Sequence, residues 1–383
     1  MYRMQCATSQ SYDVLVTPDL LDPSNPALSD AIGSRPALVV TDRTVDALFG
    51  DRLSAYLAGV DAPVGVHVAD LTERTKTMST VLDVCAHAQR HGLGRRDPLV
   101  ALGGGVCADV VSLAATLIRR GVPYVCVPTT LIGQVDAGIG LKGGVNFGGS
   151  KSYLGCFTPP SRVLIDPAFL RTLPPAGLRA GLAEIIKVAL VLDAPLFDRL
   201  ATDGAELVRT GFCSPAASAE VILVRAIELM LDQLSGNCYE DGSLERLVDF
   251  GHTFSGTLEE RSGHRLPHGQ AVAIDIALTC ALSAELGLLS EPELETVIDT
   301  LTQLGLPLHT PLCTLDTALE AMAATVKHRD GALNLVVPTA IGTAAFIRMP
   351  AEIPRPVLVA ALERVEAADV AARSLSHQAG MVV

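Results

Sequence analysis

The residues best suited to chemistry are two histidines and a carboxylate in the second half of the chain. His252 lies in DFGHTFSGTLE (249–259) and His268 in LPHGQAV (266–272). They are too far apart for one helix face, but Gly263 and Pro267 supply a turn that can bring two helix starts together. Upstream, GLAEIIK (181–187) sets Glu184 and Lys187 three apart, on one face of a helix. That spacing most often means a surface ion pair; here the flanking residues are apolar. Two imidazoles and one carboxylate, with positions left for substrate oxygens, match a catalytic zinc or related divalent ion. The competing reading is an accidental pairing among nine histidines.

Two glycine-rich segments mark the first half. Leu99 to Asp109 reads LVALGGGVCAD, a buried strand running through Gly103, Gly104 and Gly105 into a helix. Three glycines let backbone amides approach a pyrophosphate at the positive end of a helix. The spacing is not that of the standard dinucleotide fingerprint, and a purely structural tight turn stays open. Asp42 follows the strand ALVVT, where a carboxylate can accept hydrogen bonds from a ribose or cap the next helix. Gln134 to Lys151, QVDAGIGLKGGVNFGGSK, reads as a loop that presents Asp136, Lys142, Asn146 and Lys151. Lys142 and Lys151, with Arg119 and Arg120, offer local positive charge for a phosphate; a solvated surface loop is the alternative.

The elements that must position these residues fall into two kinds. Runs at 37–42, 63–68, 98–105, 123–130 and 162–166 alternate with helix-like segments, the pattern of a parallel α/β sheet. From Pro174 onward apolar residues recur at helical spacing, as in Leu178 to Leu200 and Ala216 to Leu234. The proline pair Pro174 and Pro175 divides an α/β domain (1–173) from a mainly helical one (174–383), with a cleft between domains as the default site. The tail from Arg355 to Val383 reads as a helix with a frayed end.

Composition excludes other classes. At 383 residues the chain suits two domains, and although 49% of it is hydrophobic, charged residues interrupt every long apolar run. No membrane span is expected. The first residues lack the apolar core of a secretory signal, so a cytoplasmic location is expected. Nine cysteines without a CxxC pair read as reduced, mostly buried thiols. A net charge of −13 without a basic stripe argues against nucleic acid.

Taken in order, these motifs resemble the dehydroquinate-synthase-like sugar-phosphate cyclases over nearly the whole chain. GGGVCAD resembles the family's pyrophosphate loop, VPTTLIGQVDAGIGLKGGVN its strand and substrate loop, and RTLP its hinge. AEIIK resembles its first metal-ligand helix, and FGHTF with PHGQAV its two metal histidines. The resemblance implies a Rossmann-like α/β domain followed by a helical domain, NAD and Zn2+ or Co2+ as cofactors, and a sugar phosphate as substrate. It implies that Glu184, His252 and His268 hold the metal. It places Asp42, Glu73, Lys76, Gly104, Gly105, Asp109, Thr129, Thr130, Thr172 and Leu173 around NAD. Asp136, Lys142, Asn146, Lys151, Lys187 and Lys327 would face the substrate. Arg120 matches an arginine that reaches the phosphate of a neighbouring subunit, so a homodimer is implied.

Departures from the family narrow the substrate. Glu245 stands where dehydroquinate synthases have an arginine for the substrate carboxylate, so a carboxylate substrate is disfavoured. Asp249, Gly256 and Ser152 replace an asparagine, a histidine and an asparagine. VDFGHTFS resembles the branch that cyclises sedoheptulose 7-phosphate to 2-epi-5-epi-valiolone or a stereoisomer. Asp249 would hydrogen-bond substrate hydroxyls. FSG in place of the usual FSP keeps the epimer 2-epi-valiolone open as the product. The other readings are 3-dehydroquinate synthase, a metal-dependent polyol dehydrogenase, and an inactive nucleotide-binding relative.

Overall fold

Continuous Val and Leu runs, buried on both faces, form the centre of a parallel sheet. The computed structural model describes residue 3 and residues 10–380; Cys6, most of the leading segment and the last three residues of the tail lie outside them. The chain divides into two compact units, Met1–Phe169 and Leu170–Val383. The division falls inside the 3-10 turn Pro167–Thr172, a few residues before the proline pair.

In the first unit the strands are β1 (Asp13–Val16), β2 (Ala37–Asp42), β3 (Val64–Ala69), β4 (Leu99–Gly103), β5 (Tyr124–Pro128), β6 (Lys142–Phe147), β7 (Ser150–Phe157) and β8 (Arg162–Ile165). Six of them form one sheet in the order β1-β8-β5-β4-β2-β3, and every pairing in it is parallel. Helices α1 (Ala27–Ile32), α2 (Arg43–Leu57), α3 (Met78–Arg90) and α4 (Gly105–Leu117) connect them. Thr41 pairs with Leu102 and Gly103 with Pro128, so the carboxyl ends of β2, β4 and β5 lie side by side. In open parallel sheets that edge is where ligands bind.

The segment 134–151 is not a loop. It starts as a π-helical turn, Gly133–Ala137, and continues into the antiparallel pair β6 and β7. Gly148 and Gly149, both at positive φ, make the tight connection that a two-residue hairpin requires.

The second unit contains α5 (Pro175–Leu192), α6 (Ala194–Arg209), α7 (Ala216–Ser235), α8 (Ser255–Arg261), α9 (His268–Glu285), α10 (Glu291–Gln303), α11 (Leu315–His328), the antiparallel pair β9 (Leu335–Ala340) and β10 (Thr343–Ile347), and α12 (Arg355–Gly380). The periodic stretch from Leu178 breaks at Asp193, whose extended backbone and side chain, accepting from Leu196 N at 2.8 Å, start α6. Helix α9 is buried nearly all round and packs against α5, α8, α10 and α12. That is how a helix without a polar face earns its place. Among the described residues no helix is long and apolar enough to cross a membrane. The eight described cysteines are all free and four of them are buried, fewer than expected.

Candidate active site

In the second unit three separate segments converge. Glu184 and Lys187 project from α5, both almost fully buried. His268 is the first residue of α9, and its place depends on the next residue: a Cβ on Gly269 would lie 2.3 Å from Ala180 Cα, so α9 touches the α5 backbone there. His252 follows Gly251, whose positive φ favours glycine and where a Cβ would sit a tight 3.3 Å from Val272 Cγ1 and Ile276 Cγ1.

The ligand atoms of Glu184, His252 and His268 all lie within 4.8 Å of one another. Glu184 Oε1 is 3.1 Å from His268 Nε2 and 4.0 Å from His252 Nε2. Lys187 Nζ lies 2.6 Å from Glu184 Oε2, yet neither carboxylate oxygen makes a hydrogen bond of ordinary geometry, and His252 Nδ1 is buried without a partner. Burial by itself would raise the Glu184 carboxyl. The Lys187 ammonium, with the contact from His268, outweighs it and holds the group well below the usual carboxylate range. Burial, followed by the Lys187 charge, pushes His252 down to about 3, so its imidazole is neutral and can donate a lone pair. An ionised carboxylate with two imidazoles, buried and short of hydrogen bonds, fits a divalent cation.

Two carboxylates the motifs did not single out hold this arrangement. Glu259 Oε1 is 2.8 Å from His268 Nδ1, which orients the ring and leaves Nε2 facing Glu184. Asp275, fully buried on α9, accepts from Phe254 N at 2.5 Å, Ser255 N at 2.9 Å and Thr279 Oγ1 at 3.0 Å. It thereby ties the segment after His252 to the helix that carries His268. Burial raises its carboxyl to about 6 against those hydrogen bonds.

Asp249 is engaged by two arginines. Arg246 Nη2 lies 3.2 Å from Oδ1, and Arg329 Nη2 donates to Oδ2 at 3.0 Å. Arg329 also donates through Nη1 to Leu333 O at 3.0 Å and Asn334 O at 2.8 Å. Lys327 is exposed in the last turn of α11. Glu245 is exposed and 2.7 Å from Arg348 Nε.

The first unit assembles a different set at its strand ends. Gly104 caps α4 without a side-chain hydrogen bond, which leaves the first amides of α4 available to an anion. A Cβ on Gly103 would lie 2.7 Å from Cys107 Cβ, one on Gly104 3.1 Å from Thr130 Cγ2, and one on Gly105 3.2 Å from Ala137 Cβ. This cradle admits only glycine without displacement. Thr129 N donates to Gly103 O at 2.9 Å, and Thr130 Oγ1 accepts from Gly133 N at 3.2 Å. Asp42 Oδ1 caps α2 through Thr44 N and Val45 N, while Oδ2 faces the position a Gly103 Cβ would take. The two uses expected of Asp42 are therefore compatible. An uncapped helix start, a glycine cradle and a neighbouring carboxylate fit a dinucleotide.

Four other expected residues form one network. Lys76, buried, lies 2.5 Å from Asp109 Oδ2 and donates to Ser152 Oγ at 3.1 Å. Burial raises the Asp109 carboxyl despite Lys76. Asn146 Nδ2 donates to Glu73 Oε1 at 2.8 Å, and Asn146 Oδ1 accepts from Ser152 N at 2.8 Å. Asn146, expected to face substrate, thus joins β6 to the turn that carries Glu73. Asp136 is half-buried in the π-helical turn; Lys142 opens β6 exposed, and Lys151 is half-buried on β7. Arg120 is exposed with a left-handed backbone, φ 67°. Thr172 and Leu173 belong to the second unit, where Leu173 lies against Gly177 of α5.

Comparison with known proteins adds three findings. Residues 66–180 match the family model described as 3-dehydroquinate synthase N-terminal, and residues 181–328 the one described as 3-dehydroquinate synthase C-terminal. The chain is 49% identical over 355 residues to a 2-epi-5-epi-valiolone synthase of Streptomyces hygroscopicus subsp. jinggangensis, covering 90% of this chain and 86% of that protein. It is 42% identical to one of Streptomyces glaucescens, covering 92% and 90%. A solved 2-epi-5-epi-valiolone synthase from the same S. hygroscopicus strain, with NAD+ and Zn2+ bound, superposes with a TM-score of 0.91 at 47% identity, covering 96% of this chain and 100% of that one.

Proposed function

The chain belongs to the 3-dehydroquinate synthase family, and on that premise we propose that it cyclises sedoheptulose 7-phosphate, releasing phosphate and forming 2-epi-5-epi-valiolone. The observation that carries this reading is the convergence of Glu184, His252 and His268 beside the buried ammonium of Lys187. The relatives named above are 2-epi-5-epi-valiolone synthases, and one of them holds NAD+ and Zn2+. The acidic Glu245, where carboxylate-binding members of the family carry an arginine, supports a substrate without a carboxylate.

The enzyme is a phosphate-eliminating lyase that needs NAD and a divalent ion, Zn2+ or Co2+. Glu184, neutral His252 and His268 would hold the ion, and Glu259 would keep His268 in the coordinating orientation. Gly104, Gly105 and the start of α4 would take the pyrophosphate, with Asp42 at the ribose and Glu73, Lys76, Asp109, Thr129 and Thr130 completing the site on the first unit. When bound, NAD supplies a reversible oxidant and the ion supplies Lewis acidity, so that the overall sequence of oxidation, phosphate elimination, reduction, ring opening and intramolecular aldol is redox-neutral.

The chain's own groups do the rest. Lys187 stabilises negative charge developing on the substrate oxygen nearest Glu184, a role that burial strengthens. Asp249, fixed by Arg246 and Arg329, accepts hydrogen bonds from substrate hydroxyls. Lys142 and Lys151 bind the substrate around Asp136, and Arg120 reaches the phosphate of the second subunit of a homodimer. The leaving phosphate serves as its own base, so no dedicated basic residue is required. We place the enzyme in the cytoplasm.

Incubation with sedoheptulose 7-phosphate, NAD and Zn2+, followed by phosphate assay and product NMR, tests the reading. One cyclitol per phosphate with no accumulated NADH is the expected result. Net NADH would make it a polyol dehydrogenase, and cyclisation of the acidic C7 sugar phosphate instead would make it a 3-dehydroquinate synthase. Product NMR also separates 2-epi-5-epi-valiolone from its epimer 2-epi-valiolone.

A further inference from the structure

We propose, on the reading above that Asp249 faces the substrate, that Arg246 and Arg329 form a carboxylate-binding pair and that Asp249 fills it from within, shutting out acidic sugar phosphates. Each oxygen of Asp249 has its own guanidinium: Arg246 Nη2 lies 3.2 Å from Oδ1, and Arg329 Nη2 donates to Oδ2 at 3.0 Å. Both arginines are also held without Asp249. Arg329, buried just past the end of α11, donates through Nη1 to Leu333 O and Asn334 O, which fixes the plane of its rigid fork. Arg246 is paired through Nη1 with Glu240. Taking away the Asp249 side chain therefore leaves two aimed guanidinium groups, the donors that recognise a free carboxylate.

Charge points the same way. Arg246 and Arg329 are matched by Glu240 and Asp249, so loss of Asp249 leaves one positive charge unanswered, and a single carboxylate would meet it. The place is open to a ligand, because Asp249 and Arg246 are only half-buried. It also adjoins the metal centre: His252 N donates to Asp249 O at 3.1 Å. Asp249 thus disfavours an acidic sugar phosphate twice, by repelling its carboxylate and by engaging the cations that would attract it. The competing use is a cross-link between Asp249 and the end of α11. A cross-link alone would cost stability when broken, without changing which sugar phosphates bind.

Calorimetric titration of the full chain, loaded with NAD and Zn2+, tests this with two matched probes: 6-phosphogluconate, which carries a carboxylate, and sorbitol 6-phosphate, which does not. Asp249→Ala should tighten binding of the acid relative to the polyol by about tenfold or more. Formate should raise the melting temperature of Asp249→Ala and leave that of the wild type unchanged. Adding Arg329→Met to Asp249→Ala should remove both effects. If Asp249→Ala does not fold, Asp249→Asn decides: it keeps the shape and drops the charge, and the ratio should move the same way by about threefold. An unchanged ratio in the folded variant, or a gain that survives Arg329→Met, overturns the proposal. Neither probe is the proposed substrate, so these ratios are read whether or not sedoheptulose 7-phosphate is cyclised, and the two failures stay distinct.

Discussion

The strand-end edge of the first unit and the metal centre of the second prepare for their ligands by opposite means. At Gly103–Gly105 the chain removes side chains so that backbone amides are accessible, and one short contiguous segment does nearly all of the work. At Glu184, His252 and His268 three distant segments each contribute one side chain, and Glu259, Asp275 and Gly269 are needed to hold them together. A contiguous backbone site tolerates changes around it but not within it. A composite side-chain site depends on residues that never touch the ligand.

The comparison is sharpest at the ligands themselves. Glu184→Gln removes the only carboxylate of the triad and the negative charge 2.6 Å from the buried Lys187 ammonium. Losing several kcal/mol of Lewis-acid stabilisation lowers turnover by about a thousandfold or more, with metal content falling in parallel and NAD affinity retained. An active, metal-replete Glu184→Gln enzyme would break the assignment of the centre.

A step outward, Glu259→Gln keeps the size and can still meet His268 Nδ1, but no longer as an anion. Metal affinity is expected to fall about 10–100-fold, read from competition with a chelator, and added Zn2+ should restore turnover. Unchanged affinity would mean that Glu259 only packs against His268.

At the strand-end edge, Gly104→Ala puts a methyl group 3.1 Å from Thr130 Cγ2 and into the path of the pyrophosphate. The dissociation constant for NAD is expected to rise about tenfold, equivalent to about 1.4 kcal/mol, while metal content stays the same. A parallel loss of metal would show that the two regions are less independent than their separate construction implies.

The same contrast explains what could be read from the residues alone. Strands β2, β4 and β5 were legible because burial on both faces leaves an unbroken apolar run. The glycine turn was legible because its parts are adjacent in sequence. The β6–β7 hairpin was not, since its six-residue and eight-residue strands are diluted by glycines that mimic a loop. Glu259 stood inside a quoted motif, but its role needs α8 and α9 folded before it can reach His268. Arg329 was invisible for a simpler reason: its partner Asp249 is eighty positions away. Gly269 carried a signal that could have been used, because a glycine directly after a helix-initiating histidine suggests close backbone approach.

Asp42 sits where the two strategies overlap, a side chain at an otherwise backbone-made edge, and it yields the smallest effect and the finest discrimination. Its Oδ1 caps α2 at 2.8 and 3.0 Å, and its Oδ2 is turned to the glycine turn. Asp42→Ala loses both functions, at a cost of about 1 kcal/mol of stability for the cap, with NAD binding weakened as well. Asn caps a helix about as well as Asp, so Asp42→Asn should leave thermal stability near that of the wild type. It replaces the outward-facing acceptor with an N–H donor, and a ribose hydroxyl that donates to Oδ2 would lose its partner. Weaker NAD binding at unchanged melting temperature therefore assigns Oδ2 to the ribose. If both properties of Asp42→Asn match the wild type, the carboxylate acts as a cap alone, and recognition at this edge rests on backbone and glycine alone.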